Sequence, residues 1–311
     1  MLGIDTSNYT TSVAVVRRDG EIVFDLRKLL EVERGKRGLR QSTAFFQHVE
    51  TLPLLLGKAL DEVNERIAAV SVSERPRPLE TSYMPVFRAG VSFAETLSHA
   101  LCVPLFKFSH QEGHIEVIKG SGRFKDKTEM LCFHLSGGTC ELLRISGDSI
   151  DIIGGSRDIS FGQVIDRVGV GLGMDFPCGG QFDCIALKTD AMSSLLKDIP
   201  VNGTEINLSG IETQAGRAIG PELSIAHRDM LIKELLNKIC NAIIKMSENA
   251  VKSTGIRDIL LTGGVASSRF IAGKLTTFFD KSTVNVEFGD QRLATDNAVG
   301  VACLGGKRIW L

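Results

Sequence analysis

His110 and His114, in the stretch Ser109-His110-Gln111-Glu112-Gly113-His114, place two imidazoles four residues apart. On an α-helix such residues share one face, so both rings can address a single object. Paired imidazole nitrogens suit a borderline transition metal such as zinc or iron. Two ordinary surface histidines would show the same spacing, so on spacing alone both readings stay open. A further ligand could come from Asp296, in Thr295-Asp296-Asn297. It would complete a two-histidine, one-carboxylate set with positions left for substrate. The alternative for Asp296 is a first-turn acid, favoured by the dipole of a last helix that Thr295 caps.

The elements that must position these groups are legible in the pattern. Pro104-Leu105-Phe106-Lys107-Phe108 predicts a strand, and Ser109 followed by Glu112 predicts a capping box that opens a helix at His110. The chain begins as strand, small polar loop (Asp5-Thr6-Ser7), strand, turn (Arg18-Asp19-Gly20) and strand (Glu21 to Leu26). The same layout returns from Leu131 to Ile153 around Ser136-Gly137-Gly138-Thr139. Two copies about 130 residues apart predict a duplicated domain. Helices and short strands follow each copy: Ser42 to Val63, which Pro53 should kink or split, a strand from Ile67 to Val72, and a helix from Ala89 to Leu101. In the second half, Ile232, Leu235, Leu236, Ile239, Ile243 and Met246 mark a long amphipathic helix. Strands at Ile259 to Leu261 and Val284 to Phe288 and a helix from about Thr295 close the pattern. The fold class is α/β with mixed sheets flanked by helices. The expected division is a first lobe over 1–122, completed by a C-terminal helix over 297–311, and a second lobe over 123–296.

Glycine pairs recur after strands, at Gly137-Gly138, Gly179-Gly180 and Gly263-Gly264. Such loops let backbone amides approach a phosphate closely, best at a helix N-terminus. Two facing loops would clasp a nucleotide or an acyl-adenylate. Composition narrows the classes. With 36 Lys and Arg against 37 Asp and Glu, the formal charge is -1, so a nucleic acid would have to be met by a local patch or a helper protein. The segment 31–40, with four basic residues, is one such patch or a plain surface loop. Seven cysteines without a CxxC pair predict buried reduced thiols in a cytoplasmic protein rather than disulfides or a zinc ribbon. A chain that starts in a strand pattern and has no long apolar run predicts neither signal peptide nor membrane span.

The motifs, in order and spacing along nearly the whole chain, resemble the TsaD family, also called Gcp or glycoprotease-like. Gly3-Ile4-Asp5-Thr6-Ser7 stands where that family has Gly-Ile-Glu-Thr-Ser, and His110-x-x-Gly113-His114 matches its His-x-x-Gly-His. Ser136-Gly137-Gly138, the stretch from Phe161 to Val168, Phe176 to Gly180, Leu208-Ser209-Gly210, Gly263 to Ala266 and Thr295-Asp296-Asn297 match the rest. The resemblance implies an ASKHA fold (actin-like ATPase, RNase H-like) with two duplicated lobes. It implies transfer of a threonylcarbamoyl group from an adenylate to N6 of adenosine 37 in tRNA, usually with partner proteins. It further implies one zinc or iron ion held by His110, His114 and Asp296. The adenine nucleotide or acyl-adenylate would fall to His134, Leu135, Ser136, Gly137, Gly138, Asp166, Gly179, Gly180, Gly263, Gly264 and Ser268. No side-chain nucleophile is implied. DNA and membrane partners are not expected.

Several positions depart from that family. Ser73 to Ser82 replaces its Gly-Pro-Gly-Leu loop, and Thr139-Cys140 follows Ser-Gly-Gly where it has His-Thr. Ser268 stands for Asn, Arg167 for Lys, and Glu212 for Lys. These changes predict a divergent paralogue, with a carbamoyltransferase for another acceptor or a nucleotide-binding scaffold as alternatives. A zincin helix needs Glu directly after its first histidine; Gln111 stands there, which argues against peptide hydrolysis. His134 and His99 read as structural, His227 as a residue at a helix start, and His48 as either cleft-facing or packed.

Overall fold

The computed structural model describes residues 1–7, 9–33, 38–125, 127–147, 149–190, 193–220, 224–289 and 296–310. The first half runs β1 (Leu2–Asp5), β2 (Thr10–Val16), β3 (Ile22–Leu29), α1 (Gln41–Glu62), β4 (Val70–Arg75), α2 (Phe87–Leu101), β5 (Leu105–Ser109) and α3 (His110–Ser121). The second runs β6 (Glu129–Leu135), β7 (Cys140–Ser146), β8 (Ser149–Ser156), α4 (Phe161–Gly171), α5 (Gly179–Lys188), β9 (Val201–Asn202) and β10 (Glu205–Ile206). It continues through α6 (Ser209–Ala218), α7 (Ile225–Thr254), β11 (Asp258–Thr262), α8 (Arg269–Phe279), β12 (Asn285–Phe288) and α9 (Val299–Trp310).

The chain divides into two compact units. One gathers Met1–Val32, Leu39–Ser121 and Thr295–Leu311, the other Glu33–Gly38 and Gly122–Ala294. The first unit therefore holds Asp5, His110, His114 and Asp296 together. Its sheet has the order β3-β2-β1-β4-β5. The β1, β2 and β3 strands are antiparallel neighbours, and β4 and β5 add in parallel beyond β1. Leu2, Ile4, Val13, Val15, Val70 and Val72 form its core with Leu52 and Leu56 of α1 and Ala89, Val91 and Ala94 of α2.

The second unit repeats the arrangement. Its order β12-β11-β6-β7-β8-β10-β9 contains the same antiparallel meander, β6-β7-β8, with β11 and β12 parallel beyond β6 and a small hairpin on the other edge. The long helix α7 buries Leu231, Ile232, Leu235, Leu236, Ile239, Ile243 and Met246, the face its apolar spacing requires.

One expectation is narrowed and two need correction. Pro53 does not split α1, which runs unbroken over 22 residues; buried Leu52 and Leu56 around it hold the helix where propensity alone would end it. The last helix starts at Val299, so Asp296 precedes it rather than sitting in its first turn. The amide of Val299 is taken by the Asn297 side chain and that of Ala298 by Ser12 Oγ at 2.8 Å, while Thr295 lies outside the described residues. All seven cysteines are free, but Cys102 and Cys184 are exposed rather than buried. No helix is long and apolar enough to cross a membrane among the described residues.

Candidate functional site

Strand β5 delivers the chain directly into α3. At that junction the Glu112 carboxylate accepts from Ser109 N at 2.7 Å and from Ser109 Oγ at 2.6 Å, while Glu112 N donates back to Ser109 Oγ at 3.2 Å. This reciprocal box satisfies first-turn amides that would otherwise lack partners. It also fixes where the helix begins, and so where His110 points. His114 follows one turn later on the same face.

Asp296, 182 residues further along, meets them. Its Oδ1 lies 3.3 Å from His110 Nε2 and 3.4 Å from His114 Nε2, and the two Nε2 atoms are 2.9 Å apart. The side chains are 12%, 2% and 21% exposed for His110, His114 and Asp296. Four ligands at 2.0–2.1 Å around a tetrahedral ion stand about 3.3 Å from each other, so these three atoms have the mutual spacing of ligands to one ion. Among the described residues this is the cluster of histidine and acidic groups with metal-ligand geometry.

The electrostatics point the same way. Burial would pull the His110 imidazolium down, but the Asp5 and Asp296 carboxylates outweigh it and push its pKa up to about 10. His114 is lowered, by burial and then by the charge on His110. Burial would raise Asp5 and Asp296, yet His110, joined for Asp296 by His114, holds each below the usual carboxylate range. One buried and one part-buried carboxylate around two imidazoles favour a cation at their common point.

Tight packing brings Asp296 there. A Cβ on Gly300 of α9 would lie 2.0 Å from the Gly113 carbonyl oxygen of α3, and one on Gly3 would lie 2.4 Å from the Ala298 carbonyl oxygen. Only a residue without a side chain allows such approach, which docks the start of α9 against β1 and the histidine helix.

In the second unit, the loops with Gly137-Gly138 and Gly263-Gly264 follow the parallel strands β6 and β11 at the same end of the sheet, whereas Gly179-Gly180, expected after a strand, opens α5 after helix α4. Ser136 closes a tight loop, its N donating to Thr139 O and its Oγ accepting from Thr139 N. Two elements clamp that loop. The first is the start of α4, where Ser160 donates to Gly137 O at 2.6 Å and a Cβ on Gly162 would sit 2.6 Å from Gly137 Cα. The second is Gly263, with φ of +95° and a Cβ position 2.4 Å from Leu135 O. By contrast, Cβ atoms on Gly137, Gly179, Gly180 and Gly264 would meet nothing within 4 Å, so backbone at these four positions borders open space.

The other predicted nucleotide residues have structural duties. Leu135 packs in the core and its carbonyl accepts from Val265 N. His134 is buried in β6, opposite Thr262 of β11. Asp166 Oδ1 accepts from Cys178 N at 2.8 Å, which fixes the entry to α5 at Gly179, and burial raises its pKa. Ser268 caps α8 through Ile271 N and donates to Asp183. Sequence reasoning passed over Asp183, which also accepts from Arg269 N and Phe270 N, and Asp158, which accepts from the amides of Leu208 and Ser209. Asp5, expected only as part of a small polar loop, instead lies 3.0 Å from His110 Nδ1; an acid ending a buried strand is itself a signal.

Of the remaining histidines, His48 is fully buried with Nδ1 2.8 Å from Thr11 Oγ1. His99 lies in the last turn of α2, its carbonyl accepting from Cys102 N. His227 is exposed at the start of α7 beside its cap Ser224. In the basic segment 31–40, residues 34–37 lie outside the described residues.

The comparisons with known proteins bear on this geometry. A family model described as TsaD, tRNA N6-adenosine threonylcarbamoyltransferase, matches residues 33–303. The chain belongs to that family. A protein of Neorickettsia sennetsu named tRNA N6-adenosine threonylcarbamoyltransferase is 28% identical, over 99% of this chain and 93% of its own length. The family is one of acyltransferases, so the protein is an enzyme of that class. Among solved structures, the activator of the 2-hydroxyisocaproyl-CoA dehydratase from Clostridium difficile with bound ADPNP superposes with a TM-score of 0.61 at 14% identity, covering 99% of this chain and 94% of its own. A ROK family glucokinase from Streptomyces griseus in complex with glucose and AMPPNP gives 0.54 at 11%, covering 98% of each chain. At these identities the likeness speaks for the fold, which is of the ASKHA type.

Proposed function

We propose that the protein transfers a threonylcarbamoyl group from threonylcarbamoyl-AMP to N6 of adenosine 37 in tRNA, with a zinc or iron ion held by His110, His114 and Asp296. The observation that carries this reading is the ligand-spaced triangle of His110 Nε2, His114 Nε2 and Asp296 Oδ1. An ion there supplies a Lewis acid for the acyl oxygens. The three side chains hold it from a buried floor and orient it. The open-faced backbone at Gly137, Gly179, Gly180 and Gly264 suits the phosphate of the adenylate, with Asp166 and Asp183 keeping the flanking helices in place. The attacking group is the acceptor's own amine, so no nucleophilic side chain is required. Near-neutral overall charge gives weak unaided attraction to tRNA, which favours work with partner proteins in the cytoplasm.

One observation favours a second reading, in which the same chemistry serves a different acceptor. Arg167 and Glu212, which depart from the lysines of the family motifs the sequence resembles, pair here at 3.0 Å, so the arginine's charge is met by an acid. Nucleoside mass spectrometry of unmodified tRNA incubated with the protein, its partner proteins, the adenylate and metal separates the two. The first reading expects the modified adenosine, lost together with bound metal in the His110→Ala/His114→Ala variant. Adenylate consumed in a metal-dependent way with tRNA unchanged assigns another acceptor. Unconsumed adenylate refutes both.

A further inference from the structure

Asp5 ends β1 as a fully buried carboxylate, and every contact it makes is with a donor. Its Oδ2 accepts from Ser7 N at 3.3 Å and from Ser7 Oγ at 2.5 Å. Its Oδ1 accepts from Ser73 Oγ and stands 3.0 Å from His110 Nδ1. A buried carboxylate is tolerated only when its oxygens are filled in this way.

We propose that Asp5 is the positioning residue of the metal centre: by taking the Nδ1 hydrogen of His110, it sets the tautomer and ring rotation that turn Nε2 toward His114 and Asp296. The inference rests on the metal reading of those three residues. An ion at Nε2 takes the place of the second proton of His110, and the neutral imidazole that remains has one nitrogen that donates and one that accepts. Nδ1 against a carboxylate oxygen has to be the donor, which leaves the Nε2 lone pair for the ion. The ring has little other freedom, since His114 meets it edge-on at 4.3 Å between centroids and Phe87 packs at 6.2 Å.

Asp5 is itself held. Its neighbours in the parallel ladder pair Ile4 with Val72, which puts Asp5 beside Ser73 within β4. Ser73 opens the Ser73 to Ser82 segment that replaces the Gly-Pro-Gly-Leu loop, and a second tie runs from Gln111 N to Pro76 O at 3.1 Å. The replaced segment thus supports the histidine helix at two points, once through Asp5 and once through the backbone.

Zinc affinity measured by chelator competition tests this, with nitrogen-15 NMR of the zinc-loaded protein reading the proton position on His110. Asp5→Asn keeps the shape but loses the charge, and should weaken zinc binding about 10- to 100-fold, the usual effect of losing the outer partner of a ligating histidine. Ser73→Ala should weaken it less, in the same direction. The wild-type spectrum should show Nδ1 protonated and Nε2 bound to zinc, a signature that a merely structural Asp5 would not require. If Asp5→Asn does not fold, weakened zinc binding in Ser73→Ala still supports the role. One zinc per wild-type chain, with both variants matching its affinity or with His110 bound through Nδ1, overturns the proposal and leaves the metal centre standing. A wild type that takes up no zinc refutes both together.

Discussion

Gly300→Ala probes the contact on which the candidate site depends. The added methyl would lie 2.0 Å from Gly113 O, 2.5 Å from Gly113 C and 2.8 Å from Gly113 Cα. All three are backbone atoms, so no side chain can swing away. A carbon and an oxygen need more than 3 Å between them, so the start of α9 must retreat from α3 by at least about 1 Å. Two effects on stability compete. Alanine in a helix gains up to about 1 kcal/mol over glycine, while overpacking costs about 1–3 kcal/mol. Overpacking should win by about 1–2 kcal/mol, lowering the melting temperature by a few degrees. The larger effect falls on the site. Asp296 lies four residues before Gly300, and His114 directly follows Gly113. A shift of 1 Å carries the 3.4 Å separation of Asp296 Oδ1 from His114 Nε2 beyond what one ion spans comfortably, and functional geometry tolerates only about 0.5 Å. Metal affinity should fall at least tenfold, and transfer activity about a hundredfold. The assay is metal content after dialysis against graded chelator, alongside calorimetric melting. Gly57→Ala in α1 is the control, because a methyl there meets nothing within 4 Å; it should be neutral or slightly stabilising with metal content unchanged. A Gly300→Ala protein with wild-type melting and wild-type metal affinity would falsify the packing argument.

Three further outcomes are expected. Gly263→Ala combines a left-handed backbone, φ of +95°, with a clash at 2.4 Å from Leu135 O, so it should cost about 2 kcal/mol or more in denaturant unfolding; Gly264→Ala, facing open space, should cost under about 1 kcal/mol, and equal costs would contradict the clamp. Ser109→Ala breaks the capping box just before His110 and should cost about 1 kcal/mol and weaken zinc binding, whereas unchanged zinc affinity would detach the box from the site. A double-mutant cycle with Arg167→Ala and Glu212→Ala should give a coupling of about 0.2–1 kcal/mol, as the pair is part-exposed at 33% and 24%; zero coupling would remove the ion pair as the compensation for two altered positions.

Much of the protein was readable along the chain because its signals are short-range. The capping box at Ser109 and Glu112, the helical spacing of His110 and His114, and the apolar face of α7 each depend on residues within a few turns. The repeated strand–loop–strand layout likewise anticipated the two matching meanders. Other features depended on partners far away in sequence. Asp296 joins His114 across 182 residues and Asp5 joins His110 across 105; the Thr-Asp-Asn motif and the family resemblance pointed to the first contact, while no sequence signal paired Asp5 with His110. Pro53 stayed inside α1 because the core holds both sides of it, and Ser268 became a helix cap because Asp183 was packed beside it. Local propensity is worth fractions of a kcal/mol per residue, while burying a side chain or filling a buried carboxylate is worth several times that. The order of elements and the side-chain types at the candidate site were therefore set by the sequence on its own, and the tertiary packing, above all the glycine contact of α9 on α3, decided which distant acids meet the two histidines.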